Sequence, residues 1–227
     1  MLKYAFTLLL ALLATGVSLA QDAPKAEPQE GKDYFVINPP VASDPSKVIV
    51  TEVFSYACPH CAHFQPYAEQ VKSQLPAGSQ FDLLPAVFQP GWEPFARAFY
   101  TAKSMGLVDK THQALFDAIH RDHQPLRTVE DLANLFYSNY GANSGSFIST
   151  ATSFVVEGEL SRGSQLVHDY QVDATPTLII DGKYRVVANS ENGVGFPEMV
   201  TTTQYLVQKE MATKKPAAAA PKKPKKQ

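Results

Sequence analysis

The only two cysteines of this 227-residue chain lie in one tetrapeptide, Cys58-Pro59-His60-Cys61. Two thiols at that spacing can close into a small disulfide ring and reopen, taking up an electron pair. The residues before them, Lys47 to Phe54 (KVIVTEVF), form a β-branched run that reads as a strand. Cys58-Pro59 then opens a helical pattern, with Phe64, Tyr67, Ala68, Val71 and Leu75 on one face. The first turn of a helix carries unpaired N–H groups and the positive end of the macrodipole. A thiolate placed there is stabilised, so its pKa falls. Pro59 suits that turn, where its missing N–H costs nothing. His60 adds a group able to carry charge or donate a hydrogen bond to the same sulfur. On this reading Cys58 is the exposed, attacked sulfur, and Cys61, one turn in, is its partly buried resolving partner.

Other uses of a C-x-x-C pair fit less well. Haem attachment needs His directly after the second cysteine, where Ala62 stands. A structural zinc site needs four ligands, and there is no second cysteine pair; His63 alone does not complete a set. A purely structural disulfide closing so short a loop would constrain the unfolded chain little. A metal-binding chaperone using Cys58, Cys61 and a histidine lacks a Met-rich stretch and a good third ligand.

The elements around the motif divide into three blocks. Leu-Pro-Ala-Gly at 75–78 ends the first helix, in which Pro66 predicts a kink. Phe81 to Phe88 reads as a second strand, completing a right-handed βαβ unit. From Glu93 to Tyr170 the period is helical. Phe95, Ala98, Phe99 and Ala102 make one stripe, Leu115, Phe116 and Ile119 another, and Leu132, Leu135, Phe136 and Tyr140 a third. Thr128 with Asp131 approximates a capping box, and a later helix carries Val156, Leu160, Val167 and Tyr170. Strand character returns at 177–180, followed by Asp181-Gly182, a two-residue hairpin signal, a return strand at 183–188 and a helix over about 196–209. Tyr34–Ile37 reads as an edge strand. Phe88, Trp92 and Phe95 are read as core and domain-interface residues rather than a groove for a partner peptide. His63, His112, His120, His123 and His168 are read as ordinary residues.

Composition sets the outer limits. With 44% hydrophobic and 19% charged residues, the chain is neither disordered, collagen-like nor a polytopic membrane protein. Residues 1–20 (MLKYAFTLLLALLATGVSLA) read as a signal peptide cut after Ala20: Lys3 is the basic start, an apolar core follows, and Ser18 and Ala20 are small. Residues 21–31 are a polar lead-in. Residues 211–227 carry six lysines and no acid, with proline and alanine, and read as a disordered tail. Between 21 and 210 stand 13 basic and 22 acidic residues, a net of −9 that argues against a nucleic-acid footprint.

Taken together, these features resemble the DsbA family of periplasmic thiol:disulfide oxidoreductases. The residues that carry the likeness are CPHC after Glu52-Val53-Phe54-Ser55, a helical insertion, and Ala174-Thr175-Pro176-Thr177 before a strand and an Asp-Gly turn. The likeness spans about 31–210. It implies an α/β, thioredoxin-like fold: a discontinuous domain over 32–88 and 171–210, with an inserted helical domain over 89–170. It implies a cis Thr175–Pro176 bond facing the CPHC loop, leaving backbone at Thr175 to pair with an extended substrate. It implies that Glu52 is a buried carboxyl under the site, able to exchange a proton with Cys61. The lysine often found on the following strand has no counterpart here, since 81–88 holds only Asp82 as a charge. The function implied is donation of the Cys58–Cys61 disulfide to reduced, unfolded exported proteins, with no organic cofactor and with reoxidation by a DsbB-like, quinone-linked membrane oxidase. A reductase or isomerase on the same fold is the alternative. Periplasmic isomerases resemble dimers with a separate N-terminal module, and only 21–46 precede the fold here, so a monomer is expected.

Overall fold

A computed structural model describes residues 27–214. The signal peptide, residues 21–26 of the lead-in and residues 215–227 of the lysine tail lie outside the described residues. In chain order the main elements are β1 (Phe35–Val36), β2 (Val48–Phe54), α1 (Pro59–Ser73), β3 (Ser79–Pro85), α2 (Glu93–Ser104), α3 (Val108–Phe116), a π-helical turn (Asp117–Arg121), α4 (Val129–Asp131) continued by a second π-helical turn (Leu132–Phe136), α5 (Ser144–Ala151), α6 (Phe154–Asp169), β4 (Thr177–Ile180), β5 (Tyr184–Val187) and α7 (Phe196–Thr213). The strands form one sheet in the order β1-β5-β4-β2-β3. Only β2 and β3 are parallel, joined through α1; the other pairs are antiparallel.

Strand alternation sends the two sides of β2 into different cores. Val48 and Val50 join Leu178, Ile180 and Val186 against Phe64, Ala68 and Val71 of α1 and Met199, Leu206 and Val207 of α7. Val53 points the other way, with Ile179, Leu84 and Ile37, onto Val167 of α6. A third core, within the helical block, takes in Phe99, Leu115, Phe116, Leu132, Phe136 and Phe147 and extends to Phe54, Tyr56, Cys58 and Cys61. The redox tetrapeptide therefore sits on the seam between sheet and helical block.

Several boundaries differ from the sequence reading. Helix α6, at the end of the block 89–170, serves two cores: Val156 and Leu160 join the helical block, and Val167 packs on the sheet with Val53 and Ile179. Periodicity marks which side of a helix is apolar, not what covers it; here Val167 covers the apolar sheet face formed by Val53, Leu84 and Ile179. The strand expected over 81–88 runs Ser79–Pro85, and Phe88 is exposed while Phe95 is buried and Trp92 half-buried. Phe88 is thus no core residue. The hairpin turn uses three residues, Asp181 to Lys183, with left-handed φ of 54° at Asp181 and 66° at Gly182. A side chain at Gly182 would also meet the Val41 carbonyl oxygen at 2.2 Å. Helix α1 continues through Pro66. Residues 211–213, read as part of the tail, belong to α7, which runs to Thr213, and the Lys214 ammonium donates to the carbonyls of Asp44 and Lys47 and to buried Asp181. The capping box at Thr128 is present, its hydroxyl accepting from Asp131 N and the Asp131 carboxylate accepting from Thr128 N.

One close approach joins the helical block to the sheet side. A Cβ at Gly163 of α6 would lie 2.1 Å from Tyr100 Oη of α2. Tyr100 is buried, and it borders the same groove as Gly163. Gly163→Ala is expected to cost about 1–3 kcal/mol through overpacking, read as a lower urea midpoint at unchanged slope. An unchanged midpoint would show that the two helices are not held this tightly.

Candidate active site

Strand β2 ends at Phe54, and residues 55–58 turn the chain into α1. The turn is fixed locally: Cys58 N donates to the Ser55 carbonyl at 3.1 Å, and Ala57 N donates to Ser55 Oγ at 3.2 Å. Cys58 is the N-cap of α1, with extended backbone, and Pro59 occupies the first helical position. Pro59 and His60 are exposed. Cys58 is 5% exposed and Cys61 fully buried. The sequence reading expected an exposed Cys58. The structure leaves it only a narrow opening, because the helical block and the Thr175 loop close over the turn.

Thr175 and Pro176 come from the other half of the chain. Their peptide bond is cis, and Cys58 Sγ lies 3.5 Å from the Thr175 carbonyl oxygen, across 117 positions of sequence. His60, Ala174, Thr175, Pro176, Val187, Ala188, Val194 and Phe196 line a groove of about 440 Å³ beside the cysteines. Val187 and Phe196, which the sequence reading did not single out, sit on β5 and at the start of α7.

The two sulfurs differ in electrostatics. The Cys61 thiol hydrogen-bonds the Cys58 sulfur, and with the Thr175 side chain and the N–H groups of Cys61 and His60 it outweighs burial, bringing the Cys58 pKa down from 9.0 to about 5. Burial pushes Cys61 far above the thiol range, helped by its hydrogen bond to Cys58 and the charge there. In the reduced protein Cys58 is therefore the thiolate at neutral pH and Cys61 the thiol.

Glu52 is fully buried on β2. Its strand neighbours in register are Leu83 on β3 and Leu178 on β4, so no lysine faces it. Gln65 of α1 donates to Glu52 Oε1 at 3.2 Å and to the Cys61 carbonyl at 3.3 Å, tying the carboxyl to the second cysteine's backbone. Glu52 Oε2 has no protein partner among the described residues. Burial raises the Glu52 pKa from 4.5 to about 8, against a smaller opposing effect of Gln65. A carboxyl at that value is protonated over much of the neutral range and can both give and take a proton.

Among the described residues no group of three His, Cys, Asp or Glu side chains is placed to hold a metal ion. Two of the histidines read as ordinary, His112 and His120, reach Tyr56 beside the redox turn. No spacing rule in the sequence links positions so far apart.

A strand-to-helix CxxC pair with one acidic sulfur, facing a cis-proline loop at the end of a thioredoxin-like sheet, defines a dithiol–disulfide oxidoreductase. The profile of the DSBA-like thioredoxin domain matches residues 49–194, and the chain belongs to that family. The thiol:disulfide interchange protein DsbA of Pseudomonas aeruginosa is 36% identical over 209 residues, covering 92% of this chain and 98% of its own length. The protein of the same name from Burkholderia cepacia is 34% identical over 210 residues, 91% of this chain and 96% of its own. The crystal structure of the oxidoreductase DsbA from Xylella fastidiosa superposes with a TM-score of 0.77 at 31% identity, covering 82% of this chain and all of that one. This chain is accordingly a protein disulfide oxidoreductase that forms disulfide bonds in substrate thiols.

Proposed function

We propose that the chain donates its Cys58–Cys61 disulfide to reduced, unfolded exported proteins through a mixed disulfide on Cys58. A substrate thiolate attacks Cys58 Sγ; the Cys58–Cys61 bond breaks and Cys61 leaves with the electron pair and takes up a proton. A second substrate thiolate attacks the substrate sulfur of the mixed disulfide and expels Cys58 as a thiolate. The substrate is oxidised by two electrons, which remain on the protein as the dithiol. The observation that carries this reading is the split between the two sulfurs. Cys58 combines an opening to solvent with a low pKa, so it is the reachable atom and the better final leaving group. Cys61 is closed off and held as a thiol.

The other residues take roles consistent with their places. Thr175 and Pro176 flank the groove beside Cys58 and receive an extended substrate backbone. Pro59 starts the helix whose N–H groups face the thiolate, and His60 sits exposed at the groove's rim, where it favours the anionic sulfur. Glu52, tied through Gln65 to Cys61, supplies and retrieves the Cys61 proton without a lysine partner. The protein acts as a monomer in the periplasm, delivered there by the N-terminal signal, and a DsbB-like, quinone-linked membrane oxidase takes its electrons.

Single-cysteine variants test the reading. Cys61→Ala, mixed with a disulfide-bonded peptide, is expected to hold a stable mixed disulfide at position 58, and Cys58→Ala to form none. Trapping on Cys61 instead would invert the roles. The equilibrium with glutathione is the second measurement: a potential as low as thioredoxin's, about −270 mV, would make the protein a reductase rather than an oxidant.

A further inference from the structure

Tyr56 lies two residues before Cys58 and is 1% exposed. It is held at both ends by the helical block. Its carbonyl accepts a hydrogen bond from His120 Nε2, in the π-helical turn after α3, at 2.8 Å. Its hydroxyl is 2.9 Å from Nδ1 of His112 on α3. Between those contacts the Tyr56 ring packs on Phe54, Phe116 and His112, with centroids 5.0–5.3 Å apart. Neither histidine belongs to the tetrapeptide, the proline loop or the sheet.

We infer that His120, seconded by His112, is a positioning residue for the redox reaction, fixing Tyr56 so that the turn at 55–58 keeps Cys58 Sγ aligned with the first N–H groups of α1. The turn is short, and Tyr56 hydrogen-bonds to the helical block through both its backbone and its side chain. The N–H groups of His60 and Cys61 stabilise the Cys58 sulfur only while the end of β2 and the start of α1 keep their relation. In the disulfide form a covalent ring holds the same atoms together. In the reduced form non-covalent contacts alone hold the thiolate in place. Loosening Tyr56 therefore weakens the reduced form more than the oxidised one, which raises the Cys58 pKa and makes the couple less oxidising. A carbonyl stripped of its donor in this buried turn adds to the disturbance.

The inference rests on Cys58 being the acidic sulfur, so the wild-type thiolate titration comes first: an ordinary thiol value there would overturn the site reading and this inference together, whereas failure of the variants below would overturn the inference alone. His120→Ala is then expected to raise the Cys58 pKa and to shift the equilibrium constant with glutathione by about tenfold, or ~30 mV, toward a weaker oxidant. His120→Gln, which keeps a donor, is expected to recover most of both shifts. Tyr56→Phe, which removes only the hydroxyl, moves both the same way by a smaller factor. Should His120→Ala fail to fold, His120→Leu fills the volume without a donor and takes its place. Titration and equilibrium within twofold of wild type, with both redox forms losing equal stability, would overturn the proposal and reduce the histidines to packing. A glutamine variant indistinguishable from the alanine one would overturn it as well, since the donor would then be irrelevant.

Discussion

Reduction of the Cys58–Cys61 disulfide is expected to stabilise this protein, and increasingly so as the pH rises from 5 to 9. Most disulfides do the opposite, by constraining the unfolded chain, but a ring closed over two intervening residues constrains little. What counts is the thiolate. The Cys58 pKa is about 5 in the folded dithiol against an ordinary 9.0, so the folded state prefers the charged form. A depressed pKa contributes stability that is complete above the unfolded value and lost as pH falls through the folded one. The contribution is near zero below pH 5, about 3 kcal/mol at pH 7 and about 5 kcal/mol at pH 9. Cys58 keeps a narrow opening to solvent, so screening makes these figures upper bounds. Cys61, whose pKa is raised, takes back only about 0.4 kcal/mol at pH 9, where the unfolded thiol starts to ionise. By the thermodynamic cycle, the same energy raises the potential: two decades at pH 7 correspond to ~60 mV relative to an unperturbed thiol. Urea unfolding of both redox forms at pH 5, 7 and 9 measures the effect. A reduced-minus-oxidised stability gap that does not widen with pH would rule out thiolate stabilisation as the source of oxidising power.

Glu52 works in the opposite sense and with similar size. Its folded pKa is raised from 4.5 to about 8 by burial, so the folded state prefers the neutral carboxyl. Stability from this group is fully present below pH 4.5 and is lost as pH rises through 8. The loss is about 3 kcal/mol by pH 7 and approaches ~5 kcal/mol above pH 8, an upper bound for a group whose surroundings can relax. Leucines stand opposite Glu52 on both neighbouring strands, and Gln65 supplies its hydrogen bond, so no cation offsets the cost. Glu52→Gln keeps the shape and removes the charge. It is expected to leave stability nearly unchanged at pH 4.5 and to increase it by several kcal/mol at pH 8.5. If Glu52 also carries the Cys61 proton, the variant gains stability while mixed-disulfide release slows and loses its pH dependence near 8. Equal stability of wild type and variant at pH 8.5 would show that Glu52 is solvated or paired in the native protein.

These two groups oppose one another across the neutral range, one rewarding high pH in the dithiol form and the other penalising it in both forms. The oxidised protein lacks the Cys58 contribution and keeps the Glu52 penalty. It is therefore expected to be the less stable form at neutral and alkaline pH, which is the condition for a disulfide that is readily given away.

The chemistry and the strand and helix pattern were legible in the residues themselves. Cys58 and Cys61 are the only cysteines, and a β-branched run followed by Pro59 places them at a strand–helix junction, because these local preferences act within a few residues of chain. Asp181-Gly182 announced a turn because few residue types accept its left-handed backbone. Tertiary structure decided the rest. Closure of the helical block and the Thr175 loop over Cys58 left the sulfur nearly buried, although its place at a helix start suggested exposure. Val167 turned α6 toward the sheet, a choice that an apolar stripe cannot express. The approach of Thr175 to Cys58, and of His120 and His112 to Tyr56, joins residues separated by many tens of positions. Such contacts form only when packing brings distant segments together, and neither periodicity nor spacing records which segments those are.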